Sequence, residues 1–256
     1  MSATPHSQIF LLHGMKRSGN HAIVNWLLPQ LHCQVFNNAI PLGPLLRGAP
    51  MPAARPFAAW RSEQEQRLRH PVSKAMVTLE DHDLRLAPFY GADVPLRRLL
   101  VLRNPRDLFS SRIRKAFQVQ MPAYPRADGA VLRRAIDLWK QHARCYLGDT
   151  APFPGRTAIL FDAWFQDAGY RAAVSAALGV AFDDSGFGKV TAEGGGSSFD
   201  GTRFDGNARL MDVDNRVAAL DSSERSLLDT ILDAPGMRDL DDAICTADPV
   251  AQITLR

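Results

Sequence analysis

The segment from Ile9 to Leu27 confines the start of this chain to a buried strand, a tight basic turn and an amphipathic helix. Ile9 to Leu12 form the apolar run, His13 and Gly14 end it, and apolar residues resume at helical spacing from Ala22. Gly14 and Gly19 keep the separation of a phosphate-binding loop, which holds an anion on backbone N–H groups at a helix N-terminus. The lysine and the Ser or Thr that follow the second glycine in an ATP-binding loop are replaced by Asn20 and His21. The lysine and magnesium hydroxyl of NTPase chemistry are therefore missing, and the basic charge lies inside the loop, on Lys16 and Arg17. Such a loop suits a donor that needs no magnesium.

The same alternation recurs. Strand signals at Ile9 to His13, Ala75 to Leu79, Leu99 to Leu102 and Ala158 to Phe161 alternate with helical patterns at Ala22 to Leu28, Leu108 to Phe117 and Gly169 to Leu178. This order predicts an α/β fold, a single domain spanning 1–256 with a central parallel sheet flanked by helices. Right-handed crossovers bring every strand's C-terminal end to one edge, where ligands bind. Residues 41–71, rich in Pro, Ala and Arg, read as a surface insertion with a helix from Ser62 to Arg69, placed to line a substrate entrance. Residues 194–206 begin with three glycines and carry Ser197, Ser198, Phe199 and the basic Arg203, the strongest loop signal in the chain.

A second segment speaks to ligand chemistry. Leu99 to Leu102 run directly into Arg103-Asn104-Pro105, with Ser111 about two helical turns further on. A phosphate docked at this strand end meets both Arg103 and Ser111, and a phosphate at each of the two loops marks a bisphosphorylated nucleotide. The basic run Arg112 to Lys115 reads as a solvated helix face, His13 as a packed strand end and Trp26 as core.

These segments resemble the sulfotransferases that use 3′-phosphoadenosine 5′-phosphosulfate (PAPS). Lys16-Arg17-Ser18-Gly19-Asn20-His21 is similar to the family's 5′-phosphosulfate loop, with Arg17, Ser18 and Gly19 on matching positions and Lys16, Asn20 and His21 departing from it. Arg103 to Asp107 with Ser111 resembles the 3′-phosphate motif, and Ile159 to Trp164 with the helix ending at Val180 resembles the late strand and helix. The resemblance implies a P-loop NTPase-like sulfotransferase fold and transfer of a sulfuryl group from PAPS to a hydroxyl or amine, leaving 3′,5′-ADP, with no metal because the sulfuryl carries one charge rather than two. It implies that Arg17 supplies charge at the leaving oxygen and that residues 194–206, with Ser197, Ser198, Phe199 and Arg203, cover the donor, although the family's Arg-Lys-Gly signature is absent. The base follows a central strand in this family. Here Glu80 occupies the best-matching position and His82 is the alternative, with Asp81 and Asp83 placed to orient an imidazole or raise the Glu80 pKa.

Two other function classes compete: a P-loop kinase, which lacks its lysine and hydroxyl after Gly19, and a non-catalytic nucleotide-binding protein that keeps the cradle alone. Arg outnumbers Lys 25 to 5, yet the net charge is only +3, too small for a nucleic-acid-binding surface. Cys33, Cys145 and Cys245 form no CxxC pair, which points to a reducing compartment and no structural metal. The N-terminus lacks a charged leader and a long apolar run, so a cytoplasmic protein without a membrane span is expected. The acceptor is expected to be a small molecule or a carbohydrate.

Overall fold

The computed structural model describes residues 7–36, 73–85, 95–119, 129–150, 155–192 and 196–254. The surface insertion expected at 41–71 and its helix lie outside the described residues.

β1 (Gln8–Gly14) is the middle of a five-stranded sheet, with β3 (Lys74–Glu80) on one side and β4 (Leu96–Leu102) on the other. β2 (Gln34–Phe36) and β5 (Thr157–Leu160) are the edges, in the order β2-β3-β1-β4-β5, and every pairing is parallel. Registration explains where a site can form. Gly14 is level with Glu80 on β3 and with Val101 on β4, so the turn after β1, the Glu80–Asp81 corner and Arg103 all leave the sheet at the same edge.

Leu99 and Val101 pack into the core on one face of the sheet, and Leu100 and Leu102 into the core on the other, as the two-residue period of a strand requires. The first face is covered by α1 (Asn20–Leu31), α4 (Phe161–Gln166) and α5 (Ala168–Leu178), with Trp26, Leu27, Trp164 and Tyr170 buried between them. The second is covered by α2 (Pro105–Val119), α3 (Gly129–Leu147), α6 (Ser222–Leu232) and α7 (Met237–Thr246), around Phe109, Ile113, Trp139 and Tyr146. No helix among the described residues is long and apolar enough to cross a membrane.

Several boundaries differ from the sequence expectation for local reasons. The expected α1 stop at Leu28 is passed because Pro29 removes only one donor, and the helix ends at His32 with φ +50°. The freed Asn25 carbonyl is approached so closely by Gly186 that a Cβ there would lie 2.3 Å from it. Phe161, expected to close β5, instead opens α4. β2 is absent from the sequence expectation because Gln34-Val35-Phe36 is too short to show a strand period.

Trp139 on α3 is fully buried, and its indole N–H donates to the Arg103 carbonyl at 3.0 Å, tying the second core to the functional strand end. Trp139→Ala is expected to cost about 3–5 kcal/mol of stability, the range for emptying a large aromatic site. Urea unfolding measures this, and a loss under about 1 kcal/mol would contradict the packing role.

Candidate functional site

The turn after β1 is built from the inside. Ser18 N–H donates to the Met15 carbonyl at 3.1 Å, and the buried Ser18 hydroxyl donates to the same carbonyl at 2.6 Å. Asn20 fills the hollow beneath: its Nδ2 donates to the Met15 carbonyl (3.0 Å) and to Glu80 Oε1 (2.9 Å), while its Oδ1 lies 3.0 Å from the Ser18 hydroxyl. Any side chain at position 14 is thereby excluded, because a Cβ on Gly14 would lie 2.1 Å from Asn20 Oδ1. Arg17 has φ +73° and Gly19 φ +91°, and for an L-residue the left-handed region costs roughly 1–2 kcal/mol.

Two further side chains hold the turn from outside. Asp81, itself at φ +56°, accepts the Lys16 N–H at 3.0 Å, and Arg112 from α2 donates to the Lys16 carbonyl at 3.1 Å and to Asp81 Oδ1 at 2.8 Å. Burial pushes the Asp81 carboxyl up, but the Arg112 guanidinium and the Lys16 N–H outweigh it and hold the group below the usual carboxylate range. This corrects two expectations. Arg112 is 2% exposed rather than part of a solvated face, and Asp81 is engaged by Arg112 and the turn. Asp83 is taken by Arg85 at its own exposed corner. Arg114 likewise pairs with the buried Glu224 at 2.8 Å.

Beside the turn opens a cleft of about 150 Å³. Lys16, Arg17, Gly19, Asn20, His21 and Glu80 line it at the β1–β3 corner, and Arg103, Ser111, Ser197 and Ser198 line it at the β4 side. Arg103 donates from Nη1 to the Arg17 carbonyl (3.2 Å) and from Nη2 to the Val213 carbonyl (2.7 Å), with its guanidinium 4.7 Å over the Phe161 ring. Arg17 Nη2 donates to the Gly196 carbonyl at 2.7 Å, and the Ser198 hydroxyl donates to the Ser111 carbonyl at 2.9 Å, so the 196–201 loop is fastened to both corners. Burial lowers the Arg103 pKa, Asp162 and Asp107 oppose it, and Arg216 and Arg17 lower it further. Guanidiniums that repel one another across a shared cleft form a site for an anion.

Not every anticipated residue reaches the cleft. Ser18 stands behind the turn, and His82 lies half-buried beyond Asp81, where burial lowers its pKa. Phe199 packs against the second core, under the guanidiniums of Arg114 (5.1 Å) and Arg216 (4.8 Å), and Arg203 is exposed over the Phe204 ring.

Other lining residues were missed. Arg216, 6% exposed, pairs with Asp200 at 2.9 Å. Phe161, Trp164, Phe165 and Phe187 make one aromatic wall, with Trp164 and Phe187 centroids 5.1 Å apart. The signal for that wall was readable: three aromatics at helical spacing immediately after a strand's C-terminal end.

His13 at the base of the turn is fully buried, and burial, with His142 and His82 adding, drives its pKa down to about 3. His142 falls to about 4, again chiefly by burial. Both histidines are neutral in the folded chain, whereas the unfolded chain protonates them below about pH 6.5. Stability is therefore complete above that pH and falls as the pH drops toward about 4, by up to ~1.4 kcal/mol per pH unit for each histidine. Urea midpoints measured between neutral and acidic pH should decline accordingly, and about half as steeply in His142→Gln, where His13 alone remains. Midpoints constant below about pH 6 would contradict the neutral pair.

No family model matches this chain, and no curated protein matches it. Among solved structures, the chain is similar to the mouse sulfotransferase SULT7A1 complexed with PAP, at 13% sequence identity and a TM-score of 0.47, over 94% of this chain and 90% of that one.

Proposed function

We propose that this chain is a sulfotransferase that moves a sulfuryl group from PAPS to a hydroxyl or amine of a small-molecule or carbohydrate acceptor. One observation carries the reading: Arg17 and Arg103, from loops 86 residues apart in sequence, border one cleft and are joined by a 3.2 Å hydrogen bond from the Arg103 guanidinium to the Arg17 carbonyl. Two cationic side chains bordering one cleft suit the two phosphates of a single bisphosphorylated nucleotide.

In this reading the turn N–H groups and Arg17 hold the 5′-phosphosulfate, Arg103 and Ser111 hold the 3′-phosphate, and the aromatic wall takes the adenine. The acceptor oxygen or nitrogen attacks sulfur, the bond from sulfur to the bridging oxygen breaks, and the electron pair leaves on the 5′-phosphate beside Arg17. Glu80, on the cleft wall, takes the acceptor proton, with His82 as the alternative base. The kinase alternative is disfavoured by Asn20, whose side chain is committed to Met15 and Glu80 where an NTPase presents its lysine.

Calorimetric titration tests the nucleotide assignment. 3′,5′-Bisphosphorylated adenosine should bind about 10–100-fold tighter than 5′-AMP, as one added set of charged hydrogen bonds gives, and Arg103→Ala should remove that preference. Equal affinity for the two nucleotides in the unmodified protein would overturn the assignment.

A further inference from the structure

Within the turn, Ser18 N–H bonds to the Met15 carbonyl, and Arg17, its third residue, has φ +73°. Positive φ at that place marks a type II turn, where glycine is the usual occupant, and types I and II differ by a flip of the central peptide. Here that peptide joins Lys16 to Arg17. A trans peptide carries its C=O and N–H on opposite sides. With the Lys16 carbonyl drawn to the Arg112 guanidinium at 3.1 Å, the Arg17 N–H is directed away from that guanidinium, and Lys16 and Arg17 both border the cleft.

We propose that the Asp81–Arg112 ion pair is a positioning device that fixes this peptide so that the Arg17 N–H faces the anion. Asp81 holds the preceding Lys16 N–H at 3.0 Å and Arg112 at 2.8 and 3.3 Å, and neither side chain lines the cleft. Without the grip on its carbonyl, the peptide can flip and present the Lys16 oxygen to the anion, exchanging a donor for a repelling acceptor. The arrangement joins three elements: the turn follows β1, the carboxylate sits just past the end of β3, and the guanidinium comes from α2. The strain at Arg17 and the buried cation at 112 then serve one purpose.

The inference rests on the nucleotide reading but concerns the 5′ corner alone, and ligands that lack one phosphate separate the two. Arg112→Gln should weaken binding of 3′,5′-bisphosphorylated adenosine by about 10–100-fold, the scale of a lost charge-assisted hydrogen bond, and leave 3′-AMP binding unchanged. Asp81→Asn, which keeps an oxygen for Lys16 but loses the charge facing Arg112, should give a smaller loss with the same selectivity. Equal losses for both ligands, or none for either, overturn the positioning role. Should the unmodified protein bind neither nucleotide, the reading of the cleft fails, while pyrophosphate titration followed at the Arg17 amide resonance still decides the positioning role. A shift present in the unmodified protein and lost in Arg112→Gln supports it; equal shifts, or none, overturn it.

Discussion

Glu80→Gln is expected to lower the rate of sulfuryl transfer by roughly 10²–10⁴-fold, the usual worth of a positioned general base, while nucleotide affinity stays within about twofold. The glutamine is chosen because Glu80 Oε1 accepts from Asn20 Nδ2 at 2.9 Å, and an amide oxygen can keep that bond and the shape of the turn. What the substitution removes is the capacity to take a proton at the cleft wall. His82 gives the contrast: it does not line the cleft, so His82→Ala should change the rate by less than about tenfold. The measurement is transfer of labelled sulfate from PAPS to pooled hydroxyl and amine acceptors. A Glu80→Gln protein as active as the parent, with a His82→Ala protein inactive, would assign the proton to the imidazole. A protein inactive in every acceptor pool yet tight for the bisphosphate would favour the non-catalytic reading.

The second large effect is structural. Gly19→Ala places a Cβ 2.1–2.2 Å from two atoms of the Phe161 ring at a position with φ +91°. The Arg103 guanidinium lies 4.7 Å over that ring and Trp164 and Phe165 pack against it, so displacing the ring disturbs the Arg103 corner of the cleft. The expected result is a stability loss of about 3 kcal/mol or more, from left-handed strain plus a core clash, together with loss of bisphosphate affinity by at least about 100-fold. Gly179→Ala separates the two causes. Gly179 has φ +70° but nothing within 4 Å of an added Cβ, so it should show only the conformational cost of about 1–2 kcal/mol. Thermal unfolding and calorimetry on the pair measure both quantities, and equal behaviour of the two variants would contradict the role assigned to the Phe161 contact.

What the residues disclosed on their own follows from how local each signal is. Ile9 to Leu12 and Leu99 to Leu102 are short, continuous apolar runs bounded by turn residues, and both lie in strands of the parallel sheet, buried on two faces. The glycines of the first turn announced its shape locally as well: Gly14 and Gly19 are places where a Cβ meets Asn20 or Phe161. Long-range partnerships were not legible. Arg112 looked like one charge among several on a helix, and only the fold brings it against Asp81, 31 residues earlier, and the Lys16 carbonyl. Arg216 joins the cleft through a segment with no motif, fixed by its N–H to Asp107 and its side chain to Asp200. Loop composition marked the turn at 194–206, and the resemblance put Phe199 and Arg203 on the donor, but neither says which side chain of a loop faces a ligand.

One nucleotide is proposed to span the cleft between its two arginine corners. A crystal structure with 3′,5′-bisphosphorylated adenosine tests this most directly. It should show the 5′-phosphate on the N–H groups of the turn from Gly14 to His21 beside Arg17, the 3′-phosphate against Arg103 and Ser111, and the adenine on the wall of Phe161 and Phe187. A nucleotide bound elsewhere, or seated with its 3′-phosphate in solvent away from Arg103, would contradict it.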